Sequence, residues 1–315
     1  MINQTGPFYV PLERRGVLGI GGSEARTFLQ NLISNDVRRL APDMALYALL
    51  LTPQGKYLHD FFLAEHADLE AGTTLVLDVE RDRAADLLRR LTLYKLRADV
   101  VLADLSDRYT VGAIVGAANL QLGNSGGAAQ ALGGGVVFAD PRVVRLGARF
   151  ILPRSDVAGV AAELGLRLGE ESAYEALRLQ EGVPDSSRDL AVERSFPLEA
   201  ALDELHAIDY GKGCYVGQEL TARTHYRGTV RKRLMPVRIA GTTPASGTPV
   251  MFGAIEAGEM RSSQGDVGMA LLRLDTLDEA RATNGVLRAG DATIVPQPPE
   301  WLARTLPTAD AIRKQ

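Results

Sequence analysis

The sequence predicts an α+β body followed by a small all-β domain, and three observations carry that prediction. Strand-like and helix-like segments mix through the first 230 residues without the strict alternation of a doubly wound sheet. Beyond about Val230, short strand-like segments take over, separated by Gly, Pro and Ser turns. Apolar residues make up 46% of the 315-residue chain, enough for ordinary packed cores and too much for wholesale disorder. The expected organisation is a body over 1–230, broken into two subdomains near 116–135, and a β-barrel domain with a tail over 231–315.

Taken in order, Gly16 to Ile20 is a short apolar strand. Ser23 is placed to cap the next helix, with Glu24 at its positive end and Ala25, Phe28, Leu29, Leu32 and Ile33 on one face. Tyr47 to Leu51 and Leu58 to Leu63 are strands joined by the turn Thr52-Pro53-Gln54-Gly55, and Leu75 to Val79 is a third. A helix carrying Ala84, Leu87, Leu88 and Leu91 follows, then strands at Ala98 to Leu102 and Tyr109 to Val115. Gly116 to Gly135, rich in Gly, Ala, Asn, Gln and Ser, is expected to be a surface loop. Val136 to Phe138 and Phe150 to Leu152 are strands. Ser155 caps a helix, and another runs from Ser172 to Glu181, ended by Gly182 and Pro184. In the tail, Val237 to Ile239, Val250 to Phe252 and Val267 to Leu272 are strands, and Asn284-Gly285 is a type I′ hairpin signal.

Composition removes several classes of function. The net charge is −4, so any grip on nucleic acid comes from a local patch. No apolar run reaches the roughly 18 residues that cross a bilayer, and Met1 to Val10 has no signal-peptide pattern. The single cysteine excludes an intramolecular disulfide, and a cytoplasmic protein is expected. One thiolate cannot hold an iron–sulfur cluster alone, since such clusters take about four cysteine ligands. Gly19-Ile20-Gly21-Gly22 has Glu24 where a dinucleotide fingerprint needs its third glycine. His66 and His206 have no partners at metal-ligand spacing, so no metal is expected.

The densest chemistry lies in Lys212-Gly213-Cys214-Tyr215-Val216-Gly217-Gln218-Glu219, which continues to Arg223, His225, Tyr226 and Arg227. The lone cysteine stands among polar residues that line cores poorly. In an extended stretch Lys212 and Cys214 point to the same side, where an ammonium favours the reactive thiolate. His225 is eleven residues on, and the sequence fixes it to nothing, so a cysteine–histidine hydrolase is disfavoured. Lys212, Arg223, Arg227, Arg231, Lys232 and Arg233 form a basic run suited to RNA phosphates or another polyanion.

This segment resembles the signature of the YgfZ family and its mitochondrial iron–sulfur assembly relatives. Leu18 to Leu40, Leu51-Thr52-Pro53-Gln54-Gly55-Lys56 with Asp60, Asp140-Pro141-Arg142 with Arg149, Arg178 to Pro184, and Pro197 to Leu202 agree in order. The resemblance implies a folate-binding body like the glycine-cleavage aminomethyltransferase with a C-terminal β-barrel. It implies tetrahydrofolate or a derivative as cofactor, with Asp60, Glu199, Arg223, Arg227, Tyr215 and Gln218 as the binding set. Glu199 would accept the pterin's paired N–H donors, and Arg223 and Arg227 would meet the anionic glutamyl tail. His59 stands where the transferases have the first of two aspartates, which counts against aminomethyl transfer. The implied role is an accessory factor in iron–sulfur protein assembly or repair, with client or scaffold proteins as partners. In that role Cys214 acts as a redox thiol, a transient cluster ligand or a site of adduct exchange. The competing classes are a folate-dependent one-carbon transferase and an RNA-binding protein linked to tRNA modification, with weak tRNA contact.

Overall fold

The computed structural model describes residues 6–66, 72–116, 118, 120–123, 125–228, 230–304 and 306. Contacts group the chain into two compact units. One comprises Met1–Leu51, Leu58–Tyr174 and His206–Val216; the other comprises Thr52–Tyr57, Glu175–Leu205 and Gly217–Gln315.

The first unit is built on two sheets. In the five-stranded sheet the order is Leu46–Leu51, Tyr57–Glu65, Thr73–Glu80, Arg15–Gly21, Val101–Asp104. Buried Leu, Val, Ile and Phe recur through the first four of these strands. The helix Ala25–Leu32 closes one face with Ala25, Phe28, Leu29 and Leu32, the stripe its 3.6-residue period requires. Its partners there include Leu18, Ile20, Leu50, Leu58, Phe61, Leu75 and Leu77. The helix Ala84–Lys95 adds Ala84, Leu87 and Leu91 to the same core. In the six-stranded sheet the order is Arg167–Leu168, Phe8–Pro11, Tyr109–Val115, Ala148–Pro153, Gly135–Ala139, Ala129–Leu132.

Local corrections follow from these elements. Ser23 does not cap the first helix. Its N–H and hydroxyl both donate to Asp99, while Glu24 accepts from the Asp99 N–H, so the pair brackets Asp99 instead. The Gly-rich segment expected to be a loop contains the strand Ala129–Leu132, which pairs antiparallel with Gly135–Ala139. Its composition hid the strand because its residues are only partly buried and carry no apolar alternation. Ser155 bonds its own neighbour Asp156 rather than capping a helix.

In the second unit, six strands close into a barrel: Lys232–Ala240, Val267–Arg273, Ile255–Gln264, Pro249–Phe252, Leu287–Ala289 and Ala292–Pro296, with the last pairing back to the first. Closure leaves no open edge. Met235, Val237, Ile239, Val250, Met260, Leu272 and Ile294 fill it. A helix not read from the sequence, Leu274–Ala282, packs Leu274, Leu277 and Ala280 on this core. Asn284-Gly285 ends that helix rather than making a hairpin. Asn284 takes a left-handed φ of 52°, and the Gly285 N–H donates back to the Ala280 carbonyl at 2.7 Å, the six-to-one bond of a helix stop. The neighbouring hairpin turns at Gly290, with φ 58°.

Arg178 ties the preceding segment to the barrel. Buried, it is gripped by Glu175 and donates to Asp189 at 2.9 Å, to the Val183 carbonyl at 2.6 Å and to Ser262 Oγ at 2.8 Å. No helix among the described residues is long and apolar enough to cross a membrane.

Candidate functional site

The exposed thiol is the centre of the candidate site. The chain from His206 to Lys212 runs past the C-terminal end of the helix Ala25–Leu32 and is pinned at each step. Asn35 Nδ2 donates to the His206 carbonyl at 2.8 Å, Ser34 Oγ donates to that of Ala207 at 2.6 Å, and the Asp209 N–H donates to the Ser34 carbonyl at 3.0 Å. Ser34 and Asn35 are themselves buried, so these bonds are shielded from water. Lys212 is also buried, and its ammonium donates to the carbonyls of Gln30, at 2.8 Å, and Ile33. Those carbonyls lie at the helix end, where the macrodipole is negative and intrahelical partners run out. Burial pushes the Lys212 amine down to about 8, with Asp36 and Asp209 opposing the shift and Arg38 adding to it.

Cys214 is exposed. Between it and Lys212 stands Gly213 at φ 99°, a conformation that costs an L side chain its strain and ends the in–out alternation of extended chain. The expectation that Lys212 and Cys214 share a side is therefore corrected: lysine turns in and cysteine turns out. The ammonium is committed to two backbone carbonyls and the face of Tyr215, whose centroid is 5.1 Å away. Tyr215 is buried, which pushes its phenol up, and Val216 packs against the main core. The thiol thus projects from a two-residue exposed step between anchored ends.

In the same unit, Asp60 is buried and accepts the Tyr47 hydroxyl at 3.0 Å. Strand alternation puts Phe62 on the Asp60 face, and the Tyr47 and Phe62 rings lie 4.8 Å apart. The Arg149 and Arg142 guanidinium carbons stand 4.2 and 4.8 Å from the Phe62 centroid. Arg149 Nε donates to Asp78 at 2.9 Å, and Arg142 donates to both oxygens of Asp140, at 3.0 and 2.8 Å. Arg15 Nε donates to the other Asp78 oxygen at 2.5 Å. This buried charge cluster had no role assigned from the sequence. Its signal was present as charges inside apolar strands: Asp78 in Leu75-Val76-Leu77-Asp78-Val79, and Arg149 beside Phe150.

His59 faces the opposite way, with Nε2 3.0 Å from Asp86. Burial pushes its imidazole down to about 4. It therefore does not stand beside Asp60 as a second polar group on one face, which agrees with its departure from the transferase aspartate pair.

In the second unit, Glu199 lies half-buried in the short helix Pro197–Ala200. Burial pushes its carboxyl up, against Lys232, the Phe196 N–H, Arg233 and Arg261, which favour the charged form. Gln218 opens the helix Gln218–Arg227 after Gly217, at φ 85°; Arg223 and Arg227 are exposed along it. His225 is not unfixed, as read from the sequence: its Nδ1 is 3.5 Å from Asp203. The basic run is also corrected. Lys212 is buried, and so is Arg233, which donates to the Leu198 carbonyl at 2.5 Å; Arg223, Arg227, Arg231 and Lys232 remain exposed. Among the described residues, no group of three or more His, Cys, Asp or Glu could hold a metal ion.

Comparison with known proteins defines the class first. The fold is that of the glycine-cleavage aminomethyltransferases. The solved aminomethyltransferase T of Bartonella henselae superposes with a TM-score of 0.73 over 94% of this chain and 86% of that one, at 13% identity. Residues 231–304 match the CAF17 C-terminal β-barrel domain. The chain belongs to the family of the iron–sulfur cluster assembly factors named IBA57. It is 33% identical over 316 residues to the mitochondrial human factor, covering 92% of this chain and 84% of the human one. It is 36% identical over 240 residues to the mitochondrial IBA57 homolog of Mycosarcoma maydis, covering 73% of this chain and 57% of that one. The YgfZ resemblance thus sharpens to IBA57. The cytoplasmic expectation is contradicted, because these relatives carry mitochondrial names. It had rested on one cysteine, which excludes an internal disulfide and discriminates no further between compartments, and on reading no presequence in the opening residues.

Proposed function

We propose that this protein serves the assembly or repair of iron–sulfur proteins by presenting the Cys214 thiol to client or scaffold proteins, with tetrahydrofolate or a derivative bound to its aminomethyltransferase-like body. One observation carries the reading: in a chain of this family, the only cysteine is exposed on a short step whose two ends are fixed by buried groups. A single thiolate supplies at most one ligand to a cluster, so the remaining ligands come from the partner. Local order favours such a hand-over, because a thiol held in place loses little conformational freedom when a partner engages it.

Glu199 supports the folate part of this reading. It is a half-buried carboxylate among cations, suited to the paired N–H donors of a pterin, and the Nε of buried Arg233 nearby has no hydrogen-bond partner among the described residues. In the same unit as Glu199, Gln218 is a further candidate for the pterin, and Arg223 and Arg227 are the candidates for the anionic tail. When bound, tetrahydrofolate supplies a reduced pterin able to carry one-carbon units. His59, turned away to Asp86, disfavours the one-carbon transferase reading.

The test has two arms. Calorimetry of the full chain with tetrahydrofolate should show saturable binding. Cys214→Ser should leave that binding and the fold unchanged, yet fail to rescue cells that lack an IBA57 factor. Full rescue by Cys214→Ser would remove the thiol from the mechanism, and absent heat with tetrahydrofolate would remove the folate.

A further inference from the structure

The chain commits a lysine to the interior two residues before its exposed thiol, and the burial is not incidental. Lys212 is anchored at both its side chain and its backbone. Its ammonium donates to the Gln30 and Ile33 carbonyls, while its own carbonyl accepts from Gln30 Nε2 at 3.3 Å and from Arg38 at 3.5 Å. Gln30 Oε1 in turn accepts the Val37 N–H at 2.8 Å, and Arg38 is forked onto both oxygens of Asp36. Every group that grips Lys212 is therefore itself held. The charged and titratable groups facing it are Asp36 and Arg38 from the turn after the helix, Asp209 from its own segment, and the ring of Tyr215. None of these carboxylates is within ion-pair distance of it among the described contacts; the helix-end carbonyls hold the cation instead.

We infer that Lys212 is the positioning residue for Cys214: it fixes the segment ahead of Gly213 to the end of the helix Ala25–Leu32, so that the thiol is presented at one place. The inference rests on the thiol role proposed above and adds the group that acts through it. A surface lysine in the same motif would serve a partner directly; this one cannot, because it is buried. It works only through the backbone it holds.

Lys212→Met keeps the aliphatic stem and removes the donors. In the full-length chain we expect amide exchange across 209–217 to quicken at least tenfold, while exchange in the strand Thr73–Glu80 stays at the wild-type rate. Rescue of cells lacking an IBA57 factor should be lost although Cys214 is still present and alkylated by iodoacetamide. Rescue by the conservative variant separates positioning by this amine from general packing. Lys212→Arg keeps a cationic donor for the Gln30 and Ile33 carbonyls. It should bring exchange at 209–217 back toward the wild-type rate and restore the rescue of cells, whereas Lys212→Met, which fills the same space without donors, should do neither. If Lys212→Met folds poorly, Gln30→Ala loosens the same segment from the opposite side, with a severalfold increase in exchange expected. Unchanged exchange at 209–217, or full rescue by Lys212→Met, overturns the inference. Should Cys214→Ser itself rescue, the thiol role fails independently, and the exchange profile alone decides whether Lys212 holds the segment.

Discussion

His59 should make the first unit labile to acid in a defined interval. The side chain is buried on the strand Tyr57–Glu65, and as a neutral imidazole it donates Nε2–H to Asp86. Burial is the largest cause of its depressed basicity; Arg83 and Arg90 add to it and Asp86 opposes it. Its ordinary value of 6.5 falls to about 4 in the fold. The unfolded chain therefore binds a proton that the folded chain refuses, and stability falls with pH. The contribution is whole above about pH 6.5, is lost progressively down to about pH 4, and stays lost below that. At about 1.4 kcal/mol per unit, the loss amounts to roughly 3 kcal/mol. Partly buried Glu80, with its carboxyl pushed up, works in the opposite direction over part of the same interval, so a difference measurement is needed. His59→Asn keeps a donor and cannot charge. Urea unfolding followed by far-ultraviolet circular dichroism at about pH 7 and about pH 4 gives the wild-type advantage over His59→Asn at each pH. That advantage should shrink by roughly 3 kcal/mol on acidification. The matching spectroscopic sign is one imidazole titrating near 4 by NMR and missing from the variant. A difference that holds within about 1 kcal/mol, or a His59 resonance titrating above 6, would refute the desolvation argument.

Arg149→Met should cost about 3–5 kcal/mol in the same unfolding assay, because it strands the fully buried Asp78 and Asp140 carboxylates with one fewer cation; a loss under about 1 kcal/mol would mean that the cluster relaxes without it. Glu199→Gln should weaken tetrahydrofolate roughly ten- to a hundredfold by calorimetry, the worth of a charge-assisted pair of bonds, with unchanged stability; equal affinity would take Glu199 out of the binding set.

The fold was legible because its signals are local and redundant. Leu46–Leu51 and Tyr109–Val115 are apolar runs of strand length, and Ala25, Phe28, Leu29 and Leu32 repeat with helical period. The helix Leu274–Ala282 escaped notice because Asp275, Asp278, Glu279 and Arg281 interrupt its short apolar stripe, and because Asn284-Gly285 reads equally as hairpin or helix stop. Side-chain direction was less legible still. The Lys212–Cys214 pairing assumed extended backbone, and one glycine in the left-handed region reversed it. The six-residue basic run likewise lost Lys212 and Arg233 to the interior, a matter of long-range packing that no spacing along the chain encodes.

The reversal at Gly213 changes how the motif reads. Had Lys212 faced the thiol, its charge would have acted on the sulfur directly and the motif would read as an activated nucleophile. With the ammonium bound to helix-end carbonyls, its interaction energy goes to the backbone at 212, and the thiol faces solvent. A nucleophile for small substrates needs a neighbouring base and a cleft that excludes solvent. A thiol offered to another protein needs neither; it needs a fixed position and open approach. The buried grip on one side of Cys214, the packed Tyr215 and Val216 on the other, and the exposed sulfur between them meet the second set of requirements.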